Sequence, residues 1–271
     1  MATRTDRLFE DLTEEFGKSA VVRGADIEKQ ALMRIPTGIF AIDYLTLGGL
    51  PAMKCSMFWG HDGSGKTTLA ALAVKSYQQL CSRCFLPLDR ATAALPCRCK
   101  KPPQLRTIYM DAENSLPLRT VQACEVDRTR FDVVRPETSE QAIDMIERIL
   151  RDEDVGLFIL DSIGAMVPMV EIEKSADEWQ QGYIAREINK ACRKITGAMI
   201  SRAKKGIAPT VILINQTRAD LGIRYGDNAR PPGGNGQNFL SRLSIKTWAK
   251  GLERGEKDNL KPGEVPSQIR V

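Results

Sequence analysis

Gly60-His61-Asp62-Gly63-Ser64-Gly65-Lys66-Thr67 is the stretch on which the fold turns. It has the form Gly-x₄-Gly-Lys-Thr, follows the strand-like run Cys55-Ser56-Met57-Phe58-Trp59, and opens a helical pattern over 65–80. A phosphate loop needs that context. Its glycines let successive backbone N–H groups converge on phosphate oxygens, and the helix behind adds its partial positive end. Lys66 is placed to reach the β- and γ-phosphates, and the Thr67 hydroxyl, with Thr68 beside it, to bind Mg²⁺. The run from Gly60 to Thr68 is therefore read as a nucleoside triphosphate site, with ATP and Mg²⁺ as cofactors. His61, the single histidine, is expected to face solvent.

On either side of the loop, short apolar runs alternate with helical ones. Further strands are predicted at 107–110, 155–160 and 210–214, and helices at 139–151 and 182–204. Alternation of this kind gives an α/β core: a mostly parallel sheet with helices on both faces. Each strand runs into polar residues: Asp111 and Glu113, then Asp161 and Ser162, then Asn215, Gln216 and Arg218. Ligands bind at the carboxyl ends of such strands, so these residues are expected to share one site. Asp161 is the candidate to hold Mg²⁺ through water, its plainer role being a helix cap. Glu113 is the candidate base that deprotonates water, unless it is an ordinary solvated acid. Gln216 is placed to hydrogen-bond the γ-phosphate, one of several roles open to a loop glutamine.

The chain has 271 residues, enough for one large domain or two small ones. No apolar run approaches the ~20 residues that span a bilayer, and the polar start does not suit a signal peptide, so a cytoplasmic protein is expected. Net charge is +5, and Arg83, Arg90, Arg98, Lys100, Lys101 and Arg106 against Asp89 account for all of it within 81–106. That same segment holds Cys81-x₂-Cys84-x₁₂-Cys97-x-Cys99, four of the seven cysteines. Four thiolates so spaced suit a tetrahedral Zn²⁺ site, and metal would supply order that a Pro-rich, apolar-poor segment lacks. Incidental thiols and a redox pair are the other readings. With its cations, the segment is expected to be a knob facing DNA or a partner. Cys55, Cys124 and Cys192 read as small buried hydrophobes.

Taken together, the chain resembles the bacterial RecA recombinase family. The likeness runs from Glu15-Phe16-Gly17-Lys18 to about residue 270, broken by the cysteine segment. It is carried by Gly48-Gly49-Leu50-Pro51, the phosphate loop, Tyr109-Met110-Asp111-Ala112-Glu113 and Leu160-Asp161-Ser162. Glu171-Ile172-Glu173, Gly182-Tyr183-Ile184-Ala185-Arg186, Ile214-Asn215-Gln216-Thr217-Arg218 and Gly233-Gly234-Asn235 extend it. The resemblance implies a RecA-like ATPase core at 39–271, interrupted by the 81–106 insertion, with an N-terminal helix and linker at 1–38 for subunit docking. The amphipathic run 6–17, with Leu8, Phe9, Leu12 and Phe16 apolar, is that helix. It implies self-association into a helical filament on single-stranded DNA, pairing with duplex DNA, and strand exchange in recombination and repair. Glu113 would be the hydrolytic base and Gln216 the γ-phosphate sensor.

Two DNA-contacting loops are implied, about 172–181 and 217–238. Arg186, Asn189, Lys190 and Arg193 would share one helical face. Arg218, Leu221 as an apolar wedge between bases, Gly233, Gly234 and Asn235 would contact DNA from the second loop. Trp179 would stack on a base or meet a neighbouring subunit, and Phe239 would couple subunits. The sequence departs from the family at Pro117 and Thr120, where an Asp and a Tyr usually flank adenine, and at Gln181, where a wedge is usual. Beyond the equivalent of Val271 the family continues into a strand whose two lysines reach a neighbour's ATP, then a small C-terminal domain. A ring-forming DNA motor and a non-hydrolysing DNA-binding or filament-capping relative are the alternatives.

Overall fold

The computed structural model describes residues 3–17, 21, 33–166, 182–219, 229–230, 236–249 and 269–270. Helix α1 (Arg4–Phe16) starts on a capping box in which Thr3 and Asp6 exchange side-chain and backbone hydrogen bonds, and it buries none of its own residues. A short hairpin, β1 (Arg34–Ile35) with β2 (Leu50–Pro51), encloses α2 (Phe40–Leu45). The core then runs β3 (Cys55–Gly60), α3 (Lys66–Gln78), β4 (Arg106–Asp111), α4 (Leu118–Ala123), β5 (Phe131–Val134), α5 (Ser139–Arg151), β6 (Val155–Asp161) and α6 (Gly182–Lys204). It continues with β7 (Thr210–Gln216), the small antiparallel pair β8 (Arg218–Ala219) and β9 (Ala229–Arg230), α7 (Gly236–Leu240), β10 (Ser241–Ala249) and β11 (Ile269–Arg270).

The main sheet has the order β11-β10-β3-β7-β6-β4-β5, parallel throughout except for β11. Its central strands alternate strictly between two apolar layers. Leu157, Ile159, Ile212, Ile214, Phe58 and Tyr109 face the layer containing α3. Phe158, Leu160, Val211, Leu213, Met57 and Met110 face the layer containing α5 and α6. Both faces are covered, which is why these strands read as continuous apolar runs.

The helices complete those layers with matching stripes. On α6, Ile188, Ala191, Cys192, Ile195 and Ala198 are buried at helical spacing; on α3, Leu69, Ala70, Ala73, Val74 and Tyr77 are. Lys194 of α6 donates to Glu147 of α5. Arg202, buried near the end of α6, donates to the carbonyls of Glu153 and Val155 at 3.3 Å each. Among the described residues no helix is long and apolar enough to cross a membrane.

Helix α3 begins at the carboxyl edge of the sheet and ends at the amino edge, where β4 begins. The cysteine-rich segment lies between those two ends, so it sits on the edge opposite the phosphate loop. It is tied to the core by backbone bonds, Leu88 N to Gln79 O at 2.9 Å and Ser82 N to Pro103 O at 2.9 Å. Buried Tyr77 of α3 donates to Ser82 Oγ at 2.9 Å, and that oxygen accepts from Leu105 N at 3.0 Å.

Candidate functional site

The carboxyl ends of β3, β4, β6 and β7 converge as the sequence predicts. The phosphate loop leaves β3 at Gly60, where an added Cβ would lie 2.0 Å from Thr247 O of β10. Only glycine fits so close an approach. Gly63 and Gly65 have positive φ, +71° and +88°, and Gly65 caps α3. Ser64 is buried and bonded to Thr247 Oγ1 at 2.7 Å, so the loop rests on the neighbouring strand.

Lys66 is buried and folded onto its own loop, donating to Gly60 O at 3.0 Å and His61 O at 2.8 Å. Burial pulls its ammonium below the ordinary lysine range, an effect opposed by Asp62, Asp161 and Glu113. His61 is exposed, with Nδ1 3.1 Å from Thr217 Oγ1. Asp62 is exposed, 4.0 Å from Lys66 Nζ. Thr68 follows, half-buried on α3.

Thr67 Oγ1 donates to Asp161 Oδ2 at 3.1 Å, so hydroxyl and carboxylate stand together as a pair that could hold a divalent ion. Asp161 is buried, and that burial raises its carboxyl above the usual range. Two hydroxyl donors oppose that rise, and the Glu113 and Asp111 carboxylates add to it. The second hydroxyl comes from Tyr109, which donates to the same Asp161 oxygen. A tyrosine in an otherwise apolar strand end was the one signal for this contact.

Glu113 Oε1 accepts from Gln216 Nε2 at 2.8 Å and also from Ser162 Oγ. Three strand ends therefore meet at one carboxylate oxygen. Ser162 was expected at this site without a stated role, and Arg135, with its 3.2 Å bond to buried Asp111, has no place in the sequence argument. Asp111 also accepts from Ser115 N at 2.9 Å and Leu116 N at 3.3 Å, shaping the loop that presents Glu113.

The residues expected to meet DNA are only partly visible. Arg186 and Arg193 are exposed on α6, whereas Asn189 is half-buried. A Cβ at Gly236 would lie 2.1 Å from Asn189 Oδ1, so that amide packs on α7. Arg218 enters β8, with its backbone alone described; Leu221, Gly233, Gly234, Asn235, Trp179 and Gln181 lie outside the described residues. The second implied loop is shorter than 217–238, because residues 236–240 are helical.

In the insertion, Cys81 and Cys97 are buried and Cys84 and Cys99 half-buried. Cys81 Sγ lies 3.9 Å from Cys99 Sγ, and Cys84 Sγ 3.6 Å from Cys97 Sγ. All four sulfurs fall within 4.8 Å of one another. Zn–S bonds of about 2.3 Å in a tetrahedron put sulfurs about 3.8 Å apart, so the cluster has the size of a four-thiolate metal site. Burial first, then the neighbouring Cys97 and Cys81 thiols, push the Cys84 thiol up to about 12. Despite its burial, Cys97 is held below the ordinary thiol range by hydrogen bonds from the Cys99 backbone, then from the Cys84 and Cys81 thiols. Cys55, Cys124 and Cys192 are buried free thiols, as expected.

A parallel sheet with a phosphate loop after one strand and carboxylates on its neighbours defines a phosphate-loop nucleotide-binding core. A family model for the RecA N-terminal domain matches residues 4–101 and 89–261 of the chain. "Protein RecA" of Symbiobacterium thermophilum is 32% identical over 270 residues, covering 98% of this chain and 67% of that protein. "Protein RecA" of a Nostoc species is 32% identical over 247 residues, 89% of this chain and 61% of its own length. The protein of the same name from Francisella tularensis subsp. novicida is 33% identical over 239 residues, covering 87% and 59%. The chain belongs to the RecA family. It spans about three fifths to two thirds of the length of these curated relatives.

Proposed function

We propose that the chain is an ATP-dependent recombinase that polymerises on single-stranded DNA, pairs it with duplex DNA and exchanges strands. The observation that carries this reading is the meeting of Gln216 and Ser162 on Glu113, beside Lys66, Thr67 and Asp161. In it Lys66 leaves the loop carbonyls for the γ-phosphate, and Thr67 and Asp161 hold Mg²⁺. Bound there, the ion neutralises charge on the β- and γ-phosphates. Glu113 orients and deprotonates the attacking water, and Gln216 links the γ-phosphate to the segment after β7.

Arg186, Asn189, Arg193, Arg218, Leu221, Gly233, Gly234 and Asn235 take the DNA. Helix α1, with Leu8, Phe9 and Phe16 exposed, docks on a neighbouring subunit as part of the 1–38 arm. Phe239, 83% exposed, contributes from the core, 39–271. Cys81, Cys84, Cys97 and Cys99 hold a structural Zn²⁺, supported by their spacing and by the sulfur distances. A reducing cytoplasm suits the free cysteines.

Turnover of ATP measured with and without oligo(dT), alongside electron microscopy of the protein on single-stranded DNA with a non-hydrolysable nucleotide, tests the reading. DNA-stimulated turnover and regular filaments are expected. Failure to bind single-stranded DNA in the presence of the analogue defeats it.

A further inference from the structure

We propose that the outer face of the cysteine-rich insertion is a second DNA-contacting surface, one that takes the phosphate backbone of duplex DNA at the sheet edge opposite the nucleotide. The inference rests on the DNA-handling reading and on the zinc reading above. Its first support is where the charge lies. The segment 81–106 carries a formal charge equal to that of the whole chain, +5, so the remainder is balanced. Arg106 is spent on a two-pronged bond to Asp132, at 2.7 and 2.8 Å. Arg90 lends a guanidinium nitrogen to Cys99 O at 3.2 Å. Arg83, Arg98, Lys100 and Lys101 are exposed and carry none of those duties.

Their positions follow from the cysteine spacing. Arg83 lies between Cys81 and Cys84, Arg98 between Cys97 and Cys99, and the two lysines directly follow Cys99. Sulfurs turned inward force these neighbours outward. A closed metal site would fix the two knuckles relative to each other, and backbone bonds already tie both to the 86–87 turn, Cys81 N to Leu86 O at 2.9 Å and Cys97 N to Pro87 O at 2.7 Å, while Leu88 N to Gln79 O at 2.9 Å ties that turn to the end of α3. The cations therefore stand on a rigid base, so less freedom is lost on binding. A four-thiolate zinc centre carries a formal charge of about −2, which still leaves the knob positive.

The chemistry selects the partner. Single strands are held on aromatic faces as well as by charge. The one aromatic residue in 81–105, Phe85, is buried at 6% exposure. A protein partner would call for an apolar centre, and the large apolar side chain exposed here is Leu95 alone among the described residues. Guanidinium and ammonium groups without stacking faces match a stiff lattice of phosphates, the surface of a duplex. Placement keeps this surface apart from the nucleotide: six strand residues at about 3.3 Å each separate the edges by roughly 20 Å.

The test compares R83A/R98A/K100A/K101A with the parent chain in Mg²⁺ and a non-hydrolysable ATP analogue. The probes are a labelled duplex of about 30 base pairs and oligo(dT), titrated by anisotropy at several salt concentrations. Duplex affinity is expected to fall about tenfold or more, with the log–log salt slope flatter by about 3.6 if all four cations meet phosphates. Oligo(dT) affinity, ATP turnover and a zinc content of one per chain are expected to stay unchanged, and R83K/R98K is expected to keep duplex binding. Unchanged duplex affinity, or equal loss for both DNAs, overturns the surface. Parent protein that purifies without zinc overturns the metal reading, and the duplex comparison then still decides the surface by itself.

Discussion

Replacing Glu113 with Gln keeps the side chain's size and an acceptor oxygen for Ser162 and Gln216 but removes the charge that, in the proposed role, draws a proton from water. Turnover is expected to fall by about 10²–10⁴ while affinity for an ATP analogue changes little. Phosphate release and nucleotide titration measure the two, and unchanged turnover removes Glu113 from the chemistry. Tyr109→Phe asks a different question. The ring stays in the core and the hydroxyl that orients Asp161 goes. The Mg²⁺ needed for half-maximal turnover is expected to rise about tenfold, with activity recovered at saturating metal. A loss of maximal turnover that Mg²⁺ does not restore would place Tyr109's contribution elsewhere.

At the scale of elements, the end of α3 is fastened to the approach to β5. Gln78 Nε2 donates to Asp127 O at 2.9 Å, Asp127 N donates back to Gln78 Oε1 at 2.8 Å, and Arg130 reaches Gln78 O at 3.0 Å. Hydrogen bonds from Thr129, then Arg130, pull the Asp127 carboxyl from its ordinary 3.8 down to about 2. A depressed acid stabilises the fold fully above its ordinary pKa and loses that contribution as pH falls through the depressed value. Asp127→Asn is therefore expected to lower the melting midpoint near neutral pH by roughly 2–4 °C, with the gap to the parent chain closing by about pH 2. A gap that stays constant with pH would mean the carboxylate's charge contributes nothing.

The strong periodicities were legible. Ser139–Arg151 and Gly182–Lys204 are helices with the bounds the sequence predicts, and the four apolar runs are strands, each extended by one to two residues. Of the parallel strands in the main sheet, β5 and β10 escaped sequence reading. Phe131-Asp132-Val133-Val134 is a half-buried edge strand with a charge inside it. Ser241–Ala249 alternates Arg242, Ser244 and Trp248 outward with Ile245 and Thr247 inward, and its pattern shows only once β3 is known to lie beside it. Glu113, Asp161 and Gln216 were found by their places after strands. Tyr109 was not, and Ser162 was placed at the site without its bond to Glu113, because a hydrogen bond to another residue's carboxylate leaves no mark of spacing.

Across the whole molecule, ligand and metal should act on stability at opposite ends of α3. A MgATP analogue at about a hundred times its Kd adds about 2.7 kcal/mol, raising the melting midpoint by roughly 5–10 °C. Chelation of zinc should lower the midpoint and release the Tyr77–Ser82–Leu105 tie, read as faster amide exchange at Leu105. An unshifted midpoint after verified metal removal would make the site dispensable for the fold. The carboxylate at Glu113 has a further consequence. Its two donors stand at the ends of different strands, Ser162 directly after β6 and ahead of the segment 167–181, and Gln216 at the end of β7 and ahead of the segment that follows it. A disturbance in one segment alone leaves the other donor in place. If both segments meet DNA and Glu113 is the base proposed above, its oxygen works as a coincidence detector: fuel is burned when two messages arrive together and is spared when only one does.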